Sequence, residues 1–188
     1  KDHADDCDTD VVNYIRTQME SFDYSPWIKR QGLDEAGFVE RLAKLSNRNF
    51  MYLHLVMRDI EFDRYASFDI NKLPSGLIGY YEQHWERMGM LKSPVPRDKL
   101  RVIYGLANLE SPASVSFLAS TYKLSAITVQ EVLDEIAGFL TRIVLDDAPR
   151  FSFYHASFLD FLKSKDIVQA AGETPDEAKN ELADHLLN

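Results

Sequence analysis

The residues able to do chemistry in this sequence are few and scattered. Its 188 residues include five histidines, His3, His54, His84, His155 and His185, and a single cysteine, Cys7. No two histidines stand in an H-E-x-x-H arrangement, and one cysteine cannot complete a mixed site, so the ligand spacing of a zinc centre is not met. His155, Ser157 and Asp160 are the residue types of a hydrolytic triad. They crowd one strand-to-helix corner, where nucleophile, base and orienting acid do not reach the geometry a triad needs. Neither G-x-x-x-x-G-K-[ST] nor G-x-G-x-x-G occurs, and Gly76 and Gly79 fall inside a helical pattern, so the chain carries no phosphate-cradling loop of its own. Alternation puts His155 on the same side as Phe151 and Phe153, at the junction of a strand with the next helix. An imidazole there can donate to a phosphate oxygen, with a charge tunable near neutral pH. The same alternation fits a core histidine that merely joins strand to helix. His54 and His84 fit partly buried helix faces.

Helical spacing dominates the elements that must position these residues. Val12, Ile15, Met19 and Phe22 share one face of a first helix, which Pro26 interrupts. A second helix opens near Asp34, with Phe38, Leu42 and Leu45 inward. Phe50 to Ile60 is apolar almost all round, which requires cover on more than one side. Leu73-Pro74-Ser75 restarts the chain, and Leu77, Tyr81, Trp85 and Met88 line the next face. These segments form a four-helix bundle over residues 1–91. Two prolines in 92–98 favour an extended linker.

Beyond it, Lys99 to Leu109 is helical with Val102, Leu106 and Leu109 inward, and Ser114 caps a short helix containing Val115, Leu118 and Tyr122. Thr128 and Glu131 have the form of a capping box for a third helix, buried through Val129, Val132, Leu133, Ile136 and Leu140. Ile143 and Leu145, then Phe151 and Phe153, alternate around Asp146-Asp147-Ala148-Pro149, a β-hairpin. Three helices and a hairpin are the order of a winged helix over 99–165. Phe158, Phe161 and Leu162 resume helical spacing, and Thr174-Pro175-Asp176-Glu177 opens a last helix within 166–188. The fold class is therefore mainly α: a four-helix subdomain followed by a winged-helix domain with a small β-hairpin.

Composition excludes several classes. Apolar residues at 45% and charged residues at 27% match globular usage and not disorder. No apolar run approaches the roughly 20 residues of a membrane span, and no signal peptide opens the chain, so a reduced cytoplasmic setting is expected. A net charge of −9 weighs against nucleic acid. The charge falls where a DNA-binding winged helix needs cations: Glu131, Asp134 and Glu135 lie on the third helix, and Asp146 and Asp147 at the turn of the wing. Lys123, Arg142 and Arg150 do not compensate. The start at Lys1 without Met and the end at Asn188 inside a helical pattern are those of a piece of something larger.

Several motifs, in order, carry a resemblance. His155-Ala156-Ser157-Phe158-Leu159-Asp160-Phe161-Leu162 resembles the "H-x-S-F-x-D-F-L" signature that closes the winged-helix domain of STAND-class signalling NTPases, notably the NACHT branch. Asn49-Phe50-Met51-Tyr52 resembles their "G-N-F-L-Y-A", with Arg48 where the family often has Gly. Leu73-Pro74-Ser75-Gly76-Leu77 with Tyr80, Tyr81 and Trp85 resembles "L-P-x-G-L-x-x-Y-Y-x-x-x-W", and Val11-Val12-Asn13-Tyr14-Ile15 matches the helix after the last sensor strand. The resemblance implies that 1–91 is the helical lid subdomain of an ATPase, 99–165 its winged-helix domain, and 166–188 the start of a helical linker to a C-terminal repeat sensor. It implies a non-catalytic module of a nucleotide switch. His155 would reach the β-phosphate of ADP and Phe50 would lie against the adenine, although Phe50 also fits a core position. Trp27, Trp85, Tyr80 and Tyr81 are left to packing. The nucleotide (ADP or ATP with Mg) would be held by a nucleotide-binding core outside this chain. The partners implied are that core, the repeat sensor and further copies in a homo-oligomer. A DNA-binding winged-helix regulator and a scaffold without a nucleotide role remain the rival readings.

Overall fold

The computed structural model describes residues 2–62 and 70–187, with side chains from residue 8 onward in the first helix. The side chains of His3 and Cys7 lie outside the described residues. The chain is mainly helical with a small three-stranded antiparallel sheet. It divides into two compact units, Lys1–Gln83 and His84–Asn188. The division lies within one helix and not in the proline-containing segment 92–98. Its cause is packing: Trp85 meets Phe161 edge-on at 5.8 Å and His84 meets Phe139 at 4.8 Å, which gives these residues to the second unit. The segment 92–98 contains a cis Ser93–Pro94 peptide, and its last two residues, Arg97 and Asp98, already belong to a helix.

The first unit contains α1 (Asp2–Ser21), α2 (Ser25–Arg30), α3 (Glu35–Ser46), α4 (Phe50–Glu61) and the start of α5 (Gly76–Arg87). Pro26 does not merely stop α1. It sits in the first turn of α2, where its missing N–H costs nothing. The buried face of α1 is centred on Val11 and Ile15, while Phe22 lies beyond the helix and is exposed. Asp34 caps α3, accepting from Gly37 N–H at 2.8 Å, and Asn49 caps α4, accepting from Tyr52 N–H at 2.9 Å. Phe38 and Leu42 are fully buried. α4 is enclosed through Tyr52, Leu53, Leu55, Val56, Met57 and Ile60, as its apolar run requires. Buried Asp59 accepts from the Tyr80 hydroxyl at 2.7 Å. Trp27, Tyr80, Tyr81 and Trp85 are all core residues of their units.

The second unit is built on α6 (Arg97–Ala107), β1 (Ala113–Ser114), α7 (Val115–Tyr122), α8 (Ala126–Glu135), β2 (Leu140–Leu145) and β3 (Ala148–Phe153). The strand order β1-β3-β2 completes a winged helix. Ser114 caps α7, accepting from Phe117 N–H at 3.1 Å. The cap of α8 is Ser125 and not Thr128: its hydroxyl accepts from Thr128 N–H at 3.0 Å, one turn ahead of the expected box. Val129, Val132, Leu133 and Ile136 are buried, and Leu140 has already passed into β2. The hairpin turn is tighter than the four residues expected. Asp146 and Asp147 both adopt positive φ (52° and 59°), a two-residue turn of the kind that matches strand twist. Ala148 and Pro149 therefore belong to β3.

Three further helices follow: α9 (Ala156–Leu162), α10 (Lys165–Ala171) and α11 (Thr174–Leu187). α11 is seated within the second unit. It packs along α6 and α7 through Ala178 and Leu182, and Arg101 bridges to Glu181 at 2.5 Å. The Tyr122 hydroxyl donates to Ala178 O at 3.2 Å.

Candidate functional site

The corner between β3 and α9 brings the most distinctive chemistry together. Tyr154 N–H donates to Phe139 O at 3.3 Å, ending the strand. His155 then takes extended backbone (φ −127°, ψ 124°) and caps α9 with its own ring. Nδ1 accepts from the Ser157 backbone N–H at 3.2 Å and lies 2.5 Å from the Ser157 hydroxyl, which donates to it. Ser, Thr, Asp or Asn usually supplies such a cap acceptor; here a ring nitrogen supplies it. A nitrogen that accepts carries no proton, so the imidazole in this cap bears its hydrogen on Nε2. Nε2 has no hydrogen-bond partner among the described residues.

The corner is held rigidly from beneath. Phe158 stacks on Phe139 at 4.3 Å, with Phe153 at 5.2 Å and Phe161 at 5.8 Å around it. Tyr104 donates its hydroxyl to Leu162 O at 3.0 Å, anchoring the far end of α9, and burial pushes that phenol up to about 12. Phe158, Phe161 and Leu162 are thus the packed face of α9, while Ser157 turns back to the histidine. Asp160 is exposed and makes no hydrogen bond to His155 among the described residues. The Ser–His contact is a helix cap and has no triad geometry.

The other histidines differ. His84 is buried and uses both ring nitrogens: Nε2 donates to Glu135 O at 2.9 Å and Nδ1 accepts from Arg87 at 3.1 Å. His54 is exposed on α4. Partial loss of hydration, and then Arg58, hold its pKa below the ordinary histidine value against the opposing pull of Glu61. His185 stands edge-on to Phe117 at 5.3 Å.

Phe50, the second candidate, lies in the first unit at the start of α4. It is not core: 42% of it is exposed, and its ring meets Tyr14 edge-on at 5.5 Å. The turn before it is strained. Asn47 and Arg48 both have positive φ (49° and 63°), a conformation costly for side-chain-bearing residues. Arg48 is therefore in the region that suits glycine, and its guanidinium pairs with Asp8 through two bonds of 2.6 and 2.8 Å. Gly76, φ 72°, lies opposite: an added Cβ would sit 2.9 Å from Asn47 Nδ2. Tyr52 donates to Pro74 O at 2.6 Å, and Asn47 Nδ2 to Ser75 Oγ at 3.3 Å. The Asn49–Tyr52 and Leu73–Leu77 segments are thus packed on each other.

The outward face of α8 shows Ile127, Glu131, Asp134 and Glu135, with Glu135 engaged by Lys99 at 2.6 Å. Among the described residues no three His, Cys, Asp or Glu side chains are grouped to hold a metal ion, and no helix is long and apolar enough to cross a membrane.

Sequence reasoning located His155 but missed its cap. The available signal was His155-x-Ser157 directly ahead of an apolar helical run. It also missed the left-handed turn at Asn47 and Arg48, for which Asn47 directly after a helical run was the available signal and Arg48 was none. Searches of family models, of curated proteins and of solved structures find no match to this chain.

Proposed function

We propose that this chain is the helical and winged-helix regulatory portion of a STAND/NACHT-like NTPase switch, without catalysis of its own. One observation carries the reading: the cap that commits His155 Nδ1 as acceptor leaves Nε2–H as a donor with no partner among the described residues, on a packed corner. That is the group a phosphate oxygen of ADP would be held by, and the residues present fit it. Bound ADP would supply the anionic acceptor; this chain supplies direction, because the ring cannot rotate without breaking its bonds to Ser157. Exposed Phe50 is an aromatic surface suited to cover a purine ring. The proposed partners are a nucleotide-binding core, a C-terminal sensor and further copies of the protein, in a cytoplasmic setting. Loss of the donor would shift the switch toward its nucleotide-exchanged state. The exposed acidic and apolar residues of α8 favour a protein partner over DNA.

The test is ADP release from the polypeptide that carries this chain with its nucleotide-binding core. A hydrogen bond to a charged group contributes about 1.5–3 kcal/mol, so His155→Ala should release labelled ADP about tenfold to a hundredfold faster. Release at the wild-type rate would sink the proposal.

A further inference from the structure

A cavity of about 330 Å³ lies in the first unit, between the end of α2, one flank of α3 and the short helical turn Ile70–Lys72. Small-molecule sites have volumes of about 300–1,000 Å³, so this one suits a small ligand. Gly37, Arg41 and Lys44 recur at i, i+4 and i+7 and share that flank of α3, while Phe38, Val39 and Leu42 turn to the core. Gly37 adds no side chain to the flank, which leaves room beside the aliphatic side chains of Leu33 and Ile70.

The amide oxygens on its wall are already engaged. Ile70 N–H donates to Gln31 Oε1 at 2.8 Å, and the Gln31 amide nitrogen has no partner among the described residues. Arg41 Nη2 donates to Asn71 Oδ1 at 3.1 Å, so the amide group of Asn71 also turns its nitrogen away from that bond. This is the one bond that Arg41 makes among the described residues. Its Nε–H is buried without an acceptor, and neither Arg41 nor Lys44 has an ion pair there. A half-buried guanidinium held by a single neutral acceptor is under-compensated. Glu40 is the acid on the wall, and it pairs with neither cation. Arg41 and Lys44 against Glu40 leave the wall short of a single negative charge.

We propose that this cavity binds a small aliphatic carboxylate, with its charged end between Arg41 and Lys44 and its chain against Leu33 and Ile70. A planar guanidinium matches a carboxylate through paired N–H bonds, and the Lys44 ammonium adds a point charge beside it. One negative charge balances the wall, whereas the charge of about −1.5 to −2 on a phosphate monoester exceeds what it lacks. The site lies wholly in the first unit. It needs no nucleotide and stands independently of the role proposed for His155.

The test is titration of the isotope-labelled 188-residue chain with isovalerate at constant ionic strength, read from backbone amide shifts. The amides of Gly37, Lys44 and Asn71 should shift saturably, with a Kd of about 1–10 mM for so small a ligand. Isovaleramide has the same shape without the charge and should bind about tenfold or more weakly, and inorganic phosphate should bind more weakly than isovalerate. Arg41→Met keeps an aliphatic stem and should weaken isovalerate about tenfold or more. Lys44→Met should weaken it about threefold or more, with an unchanged unfolding midpoint, because Lys44 is exposed and unpaired. No saturable shift below about 50 mM overturns the proposal, as does isovaleramide binding as well as isovalerate. Phosphate binding more tightly than isovalerate overturns the assignment of a carboxylate, and binding that survives Arg41→Met overturns the site. If Arg41→Met lowers the midpoint through its lost bond to Asn71, Lys44→Met decides alone.

Discussion

Gly105 lies in the last turn of α6, where its replacement by alanine should on helix propensity alone stabilise the protein by up to about 1 kcal/mol. The structure reverses that sign. A Cβ at Gly105 would lie 1.9 Å from the Tyr122 hydroxyl oxygen, 2.5 Å from Cζ and 2.6 Å from Cε2. Those atoms belong to a buried ring that is pinned at both ends: its hydroxyl donates to Ala178 O, and Arg101 lies over its face at 5.5 Å. The ring must therefore move as a body. Overpacking of this kind costs about 1–3 kcal/mol, and the hydroxyl's bond to α11 adds about 1 kcal/mol when lost. Set against the propensity gain, Gly105→Ala should destabilise the second unit by about 1–3 kcal/mol, a fall in midpoint of about 2–12 °C. Urea unfolding followed by circular dichroism measures it. Tyr122→Leu withdraws all three clashing atoms, so in that background the alanine should be neutral or stabilising, and the double-mutant cycle should show coupling of about 2 kcal/mol or more. If Gly105→Ala alone is as stable as the parent chain, the close approach of α6 to Tyr122, and with it the seating of α11, is wrong.

Two other perturbations report on the remaining elements. Arg48→Gly removes a left-handed strain of about 1 kcal/mol and an exposed ion pair with Asp8 of about 0.2–1 kcal/mol, so its stability should stay within about 1 kcal/mol of the parent. Arg48→Val, branched at the same φ, should lose about 1–2 kcal/mol in thermal unfolding. Tyr104 and Tyr122 have phenols pushed up to about 12, in each case mainly by burial. Between about pH 10 and pH 12 the unfolded chain has released these protons and the folded chain retains them, so stability should fall as pH rises through that window. Tyr104→Phe should flatten the slope in urea titrations at stepped pH.

Much of this fold was legible because its signals are local. Asp34, Asn49 and Ser114 stand directly ahead of apolar helical runs, and each is a cap in the structure. The hairpin was legible from alternation and acidic turn residues. What escaped is set by tertiary context or by lengths too short for a period. β1 has two residues, and only its pairing with Phe151 and Arg150 makes it a strand. Ser125 and Thr128 offer equivalent hydroxyls, and the backbone conformation at Ser125 decides between them. The face of α1 turned on which apolar residues met α3 and α4. The division inside α5 arises from the pairings of His84 and Trp85, which no linker composition reveals. At the candidate site, position and residue type singled out His155. Which nitrogen is engaged depends on the ring's orientation against Ser157, and that exists only in three dimensions.

The central claim is that His155 acts through Nε2, beyond its service as a cap. His155→Asn separates the two, because Asn is a good N-cap acceptor and has no atom at the Nε2 position. In a polypeptide that joins this chain to the nucleotide-binding core proposed for it, unfolding midpoint and ADP release should be measured together. The account predicts an unchanged midpoint with release accelerated about tenfold or more. Release at the wild-type rate, with the fold intact, would contradict it.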